Sequence, residues 1–208
     1  MIDLKNISAV IFDLGGVILN LDYQLTIDAF KKLGVHDFEN MYTQAAQSNL
    51  FNDYETGIIT SEQFTIELKK FVPNEVSESM IKDAWNEMLL DIPSNRIEML
   101  EKLKQSIPIF LFSNTNDIHY LFFRSQLKTV FGRDDLLEHI FVKTYYSHLA
   151  GVRKPNADAF QLVLEENGLS AEHTLFIDDS IQHIEGAKKI GLQTKHLVNA
   201  DITELFKI

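Results

Sequence analysis

The chain has 208 residues, of which 45% are hydrophobic and 24% charged, with 9 Gly and 4 Pro. That composition excludes disordered, collagen-like and low-complexity classes, and the length suits one large domain or a core domain carrying a smaller insert. A formal charge of -11 repels phosphodiester backbones, so no nucleic-acid partner is expected.

The first predicted element is the apolar run Ala9-Val10-Ile11-Phe12. Its unbroken apolarity reads as a strand buried on both faces, as in a parallel sheet. It stops at Asp13, and Gly15-Gly16 reads as a tight turn. Residues 20–90 read as helical. Ile27, Phe30 and Leu33 form one stripe, stopped by Gly34. Thr60-Ser61-Glu62-Gln63 is a capping box that opens a helix bearing Phe64, Leu68 and Phe71. Ile81, Ala84, Trp85, Met88 and Leu89 line another helix, and Asn52-Asp53-Tyr54-Glu55-Thr56-Gly57 reads as a polar loop between cap helices.

Beyond residue 91, strand and helix alternate. Ile97, Leu100 and Leu103 make a helical stripe, and the apolar run 107–112 ends in Ser113-Asn114-Thr115. Another strand is expected within 139–146. Asn156 is expected to cap a helix carrying Phe160, Val163 and Leu164, closed by Gly168. The run 174–177 ends in Asp178-Asp179, and Ile181, Ile184, Ala187 and Ile190 form the next helix, closed by Gly191. This alternation predicts an α/β fold, a parallel sheet covered by helices. Residues 1–19 and 91–208 would form the core domain, with 20–90 inserted as a small helical cap.

Three strands thus end in polar residues: Asp13, Ser113-Asn114 and Asp178-Asp179. Ligands of open α/β sheets bind beyond the carboxyl ends of strands, so these residues can share one site although far apart in sequence. Taken singly, each is an ordinary strand end meeting water. Brought together, three carboxylates repel one another and favour a divalent cation such as Mg²⁺. With one lysine, such a cation can invert the local potential of an acidic protein, so a small phosphorylated metabolite is the expected partner.

The chain resembles the haloacid dehalogenase-like superfamily, specifically its phosphatase-type members with a helical cap inserted after the first motif and a Rossmann-like core. Val10-Ile11-Phe12-Asp13-Leu14-Gly15-Gly16-Val17 matches the nucleophile motif, Phe112-Ser113-Asn114 the second, Arg153-Lys154-Pro155 the lysine motif and Phe176-Ile177-Asp178-Asp179-Ser180 the acidic one. Four short motifs in the family's order are far more specific than any one. The resemblance implies Asp13 as a nucleophile that forms an aspartyl-phosphate, later hydrolysed by water. It implies Mg²⁺ held by Asp13, Asp178 and the Gly15 carbonyl, with Asp179 holding it directly, through water or by supporting its neighbour. Ser113 and Asn114 would contact the phosphoryl group, and Lys154 would bind both that group and Asp13.

Two positions depart from the family pattern. Gly15 stands where the phosphatases carry a second Asp that protonates the leaving group, help worth ~10²–10⁴-fold. Leaving groups that depart easily without a proton are therefore expected, as in aryl phosphates, acyl phosphates and anomeric sugar 1-phosphates; the resemblance to bacterial members that act on glucose 1-phosphate, which also have Gly at that position, favours a hexose 1-phosphate. His183 stands where Asn or Asp is common; we expect it on a helix facing its neighbours, the alternative being support of the acidic pair or a proton relay. Tyr54 and Glu55 are the cap residues that could reach substrate hydroxyls, the favoured alternative being a solvated turn. A metal-free 2-haloacid dehalogenase and a catalytically weak binding protein on the same fold are the rival readings. The chain has no cysteine, which excludes disulfides and thiolate chemistry and fits a reducing compartment. No apolar run could span a bilayer and the N-terminus lacks a signal-peptide pattern, so a cytoplasmic monomer without membrane contact is expected.

Overall fold

The computed structural model describes residues 2–47 and 49–206. Five strands form one parallel sheet: β1 (Ala9–Phe12), β2 (Ile109–Ser113), β3 (Lys143–Tyr146), β4 (Thr174–Asp178) and β5 (Gln193–His196), in the order β3-β2-β1-β4-β5. The three central strands are buried at every residue, which is what their unbroken apolar sequences require. Phe12 pairs with Leu111 on one side and with Ile177 on the other, so β1, β2 and β4 end level with one another.

Strand alternation divides the core into two faces. Val10, Phe12, Ile109, Leu111, Leu175 and Ile177 share one cluster with Leu100 and Leu103 of α6 (Ser94–Leu103) and Phe123 and Leu127 of α7 (Asp117–Phe131). Ala9, Ile11, Phe110, Phe112 and Phe176 face the other way, onto Phe160 and Val163 of α10 (Ala157–Glu166) and Ile184 and Ala187 of α11 (Ile181–Lys189). Two short helices, α8 (Leu136–Ile140) and α9 (Ser147–Ala150), flank β3. The strand expected within 139–146 is therefore only its second half. Asn156 stands at the N-cap of α10, but its side chain makes no capping hydrogen bond.

Among the described residues, five helices lie between β1 and α6: α1 (Tyr23–Lys32), α2 (Phe38–Gln47), α3 (Leu50–Glu55), α4 (Ser61–Lys69) and α5 (Glu78–Asn86). The capping box at Thr60 and Gln63 forms with both of its hydrogen bonds. Phe30, Tyr54, Phe64, Leu68, Ile81 and Trp85 build an apolar cluster of their own, which Ile118 of α7 joins from the other side of the cleft. The chain enters and leaves this layer along one short ribbon: Leu21 bridges Leu89, and the Asn20 amide donates to the Asp91 carbonyl at 2.9 Å. Among the described residues no helix is long and apolar enough to cross a membrane.

Candidate active site

The level ends of β1, β2 and β4 place Asp13, Ser113 and Asp178 side by side. The Asp13 amide donates to the Ile177 carbonyl at 2.9 Å, so the sheet fixes its backbone one residue beyond the strand. The strand order reverses direction between β1 and β4, and a crevice opens at such a point. Ser113 is buried, and its hydroxyl makes one long contact, 3.4 Å to the Asn114 carbonyl, so it is nearly free to turn toward a ligand.

Lys154 reaches this point from the loop after α9 and is wholly buried. Its ammonium donates to Asp13 Oδ1, Asp178 Oδ2 and the Phe112 carbonyl, each at 2.8 Å. Three N–H donors thus meet three acceptors. The rings of Phe112 and Phe176 lie 5.4 and 5.3 Å from Nζ and shield it from water. Burial opposes the charge on Lys154, but the two carboxylates more than offset this and raise its pKa. Burial pushes the Asp13 carboxyl up to about 7, with Lys154 pulling it down and Asp178 and Asp179 adding to the rise. Burial acts on Asp178 in the same direction, but Lys154 and His183 prevail and hold it at about 2.

A lone ammonium shared by two carboxylates leaves net negative charge in a buried site, which a divalent cation would offset. The Asp179 carboxylate lies against Gly16, and its pKa is raised by partial burial and then by Asp178. Gly16 has φ +70, and a Cβ there would collide with Asp179 Oδ2, so both backbone and space demand glycine. Among the described residues no donor reaches the Gly15 carbonyl, which lines the same cleft. Carboxylate and carbonyl oxygens in this arrangement suit a hard cation, and the residues fit Mg²⁺.

Several side chains differ from the sequence-based expectation. Asn114 is turned away from the phosphoryl position: its Nδ2 donates to the Lys154 carbonyl and its Oδ1 accepts from the Lys154 amide, both at 2.9 Å. It is a clamp on the lysine. Tyr54 lies on α3, not on a loop, and is buried against Phe64 with ring centroids 4.1 Å apart. Its hydroxyl accepts from the Ile118 amide at 3.0 Å and meets Ser61 Oγ at 2.8 Å, so it is spent on structure rather than on substrate. Glu55, the last residue of α3, does line the cleft. It pairs with Arg153 at 3.0 Å, and burial raises its carboxyl. His183 does not simply face its own helix, since its Nδ1 lies 3.0 Å from both carboxylate oxygens of Asp178. Asp13, Asp178 and His183 bring ligand atoms within 4.8 Å of one another. The signal for His183 was its place one helical turn past the strand end, which folds its ring back on the Asp.

Above the strand ends a cavity of about 570 Å³ separates the sheet from the helical layer. Its floor holds Leu14, Gly15, Ser113 and Asn114; its walls include Tyr23, which the sequence did not single out. The Tyr23 hydroxyl is pushed up to about 12 by partial burial and by Asp179, Asp13 and Glu55, which places it beside the acidic cluster.

This fold and this constellation belong to one family. The haloacid dehalogenase-like hydrolase family model matches residues 7–191, and the chain belongs to that family. Within it, the chain is 27% identical over 188 residues to a D-ribitol-5-phosphate phosphatase of Bacteroides thetaiotaomicron, covering 90% of each. It is 26% identical over 199 residues to a sesquiterpene phosphatase of Aspergillus oryzae, covering 92% of this chain and 90% of that one. Among solved structures, a HAD family enzyme of Bacteroides thetaiotaomicron in complex with magnesium and inorganic phosphate superposes with a TM-score of 0.86 at 34% identity, over 97% of this chain and all 100% of the other.

Proposed function

We propose that the protein is a Mg²⁺-dependent phosphatase that hydrolyses a small phosphate monoester through an aspartyl-phosphate on Asp13. The observation that carries this reading is the single buried ammonium of Lys154 bound at 2.8 Å to both Asp13 and Asp178. Such a group steadies the nucleophile and meets the charge of an incoming phosphoryl group. Asp13, Asp178 and the Gly15 carbonyl, with Asp179 beside them, would hold Mg²⁺, which supplies charge neutralisation and in-line placement of phosphorus. One Asp13 oxygen attacks phosphorus while the ester oxygen leaves with its electron pair. Ser113 donates its hydroxyl to a phosphoryl oxygen, and Asn114 keeps Lys154 in place. A second buried carboxylate, Asp178, beside the nucleophile Asp13 suits a metal-assisted phosphatase better than a metal-free dehalogenase, which gains little from that charge.

Leaving groups that depart without a proton fit the glycine at position 15, a class that takes in aryl phosphates, acyl phosphates and hexose 1-phosphates. The substrate is a free metabolite, and the protein acts as a cytoplasmic monomer with neither nucleic acid nor membrane as partner. The test is hydrolysis of p-nitrophenyl phosphate with and without Mg²⁺. Activity is expected only with the metal and is lost in Asp13→Asn; equal rates in that variant would refute the nucleophile.

A further inference from the structure

The cavity wall is built from stacked rings. Phe38 and Tyr42 lie 6.2 Å apart at 25°, Tyr42 and Phe51 4.6 Å apart at 21°, Phe51 and Trp85 5.7 Å apart at 3°, and Trp85 and His119 5.4 Å apart at 15°. All five rings line the one cavity that opens onto Gly15 and Ser113. Leu21, Ile27 and Met88 complete the apolar surface.

Several polar groups in that wall are spent within the protein, although Trp85 Nε1 and Glu55 Oε2 are buried without a hydrogen-bond partner among the described residues. Thr26 Oγ1 donates to the Trp85 carbonyl at 3.3 Å and accepts from the Met88 amide at 3.1 Å. The two nitrogens of His119 meet Asn116 Nδ2 at 3.2 Å and the Trp85 carbonyl at 3.0 Å, and burial lowers this imidazole to about 4, so it is neutral. Glu55 is held by Arg153. A polyol, with several hydroxyls, would find too few partners on such a surface to pair them all. The floor carries the same message. A Cβ on Gly15 would stand 2.7 Å from Leu21 Cδ1, so a leucine methyl fills the room that a side chain at 15 would take. The room that a side chain at 15 would occupy is apolar and holds no acid.

From these features we infer that the alcohol part of the substrate is an apolar, ring-bearing group seated on the stack from Phe38 to His119, with an aryl phosphate the best fit. This rests on the phosphatase reading above and names its substrate class. A cavity of about 570 Å³ is in the range that encloses a ligand of that kind. An aryloxide departs with the electron pair of the breaking P–O bond while an Asp13 oxygen bonds to phosphorus, and it takes its proton from solvent afterwards. Water then hydrolyses the aspartyl-phosphate, releasing inorganic phosphate and restoring the carboxylate.

Two matched pairs of esters test this on the full chain with Mg²⁺. Phenyl and 1-naphthyl phosphate have similar leaving groups and differ in apolar area; benzyl phosphate and ribitol 5-phosphate are both primary alkyl esters and differ in polarity. The more apolar member of each pair should have the lower KM, by about 10-fold, one methylene or so of burial being worth 1–3 kcal/mol. Binding of phenylphosphonate, which is not hydrolysed, should alter the fluorescence of Trp85, the chain's one tryptophan, while inorganic phosphate at equal occupancy does so far less. Equal KM values within both pairs, or preference for ribitol 5-phosphate or glucose 1-phosphate, overturns the inference and leaves the phosphatase standing. No turnover of any ester at saturating Mg²⁺ overturns both.

Discussion

Gly186 lies inside α11, where replacement by alanine ordinarily favours a helix by about 1 kcal/mol. Here the sign should reverse. A Cβ on Gly186 would stand 2.5 Å from the Pro155 carbonyl oxygen and 2.8 Å from Pro155 Cβ. Ordinary contact needs about 3.5 Å, so the helix or the Pro155 segment must give by roughly 1 Å. Overpacking of that kind costs about 1–3 kcal/mol, which cancels or exceeds the propensity gain. Pro155 follows Lys154, whose ammonium meets its three acceptors at 2.8 Å. A shift of about 1 Å in a group so placed costs roughly 10²-fold in rate. Gly186→Ala should therefore be no more stable than the parent in urea unfolding, and its kcat on p-nitrophenyl phosphate should fall by about that factor. A variant stabilised by about 1 kcal/mol with full kcat would refute the idea that close packing of α11 sets the lysine.

Lys154→Met leaves two buried carboxylates facing each other without their shared cation, a loss of about 3–5 kcal/mol. Mg²⁺ should raise the Tm of this variant more than that of the parent, and a Tm indifferent to the metal would contradict the proposed cation site. In the metal-free protein Asp13, at about 7, holds a proton that the unfolded chain with its value of 3.8 has released. Stability from this group is full below pH 4 and is lost as pH rises through 7. Tm should thus be higher at pH 5.5 than at 7.5 without metal, and Asp13→Asn should abolish that part of the difference. His183→Ala removes the imidazole that supports Asp178 and should weaken Mg²⁺ binding by about 10–100-fold in calorimetry; unchanged affinity would show that the contact is idle. Gly15→Asp alone meets the Leu21 methyl, whereas the pair Gly15→Asp with Leu21→Ala opens that room. If the missing acid limits alkyl esters, benzyl phosphate should gain in kcat with the pair and not with the single change.

The parts of the site that could be read from the chain are those where an apolar strand is cut short by an acid. Asp13, Ser113 and Asp178 needed only the inference that parallel strands end level. Lys154 had no such signal, since a lysine before a proline is usually solvated; it was found through the lysine motif of the family resemblance. β5 escaped notice because Gln193–His196 is a polar edge strand with no apolar run. α3 reads as a loop in the sequence because Asn52 and Asp53 dominate its middle, although Leu50 and Tyr54, four apart, are both buried. The direction of a single side chain is harder still. Asn114 sits beside Ser113 in sequence, yet the strand's alternation turns it toward Lys154. His183 depended on how far the first turn of α11 folds back toward β4.

The two passages of chain at 20–22 and 88–91 run side by side and bond to each other. Everything between them hangs from a single doorway. A segment exchanged at that one spot would also have to meet Ile118, His119 and Arg153, which now bond to Tyr54, Trp85 and Glu55, while Asp13, Lys154 and Asp178 stand in the part left behind. A new roof changes which alcohol is admitted, and the phosphorus chemistry beneath it carries on undisturbed.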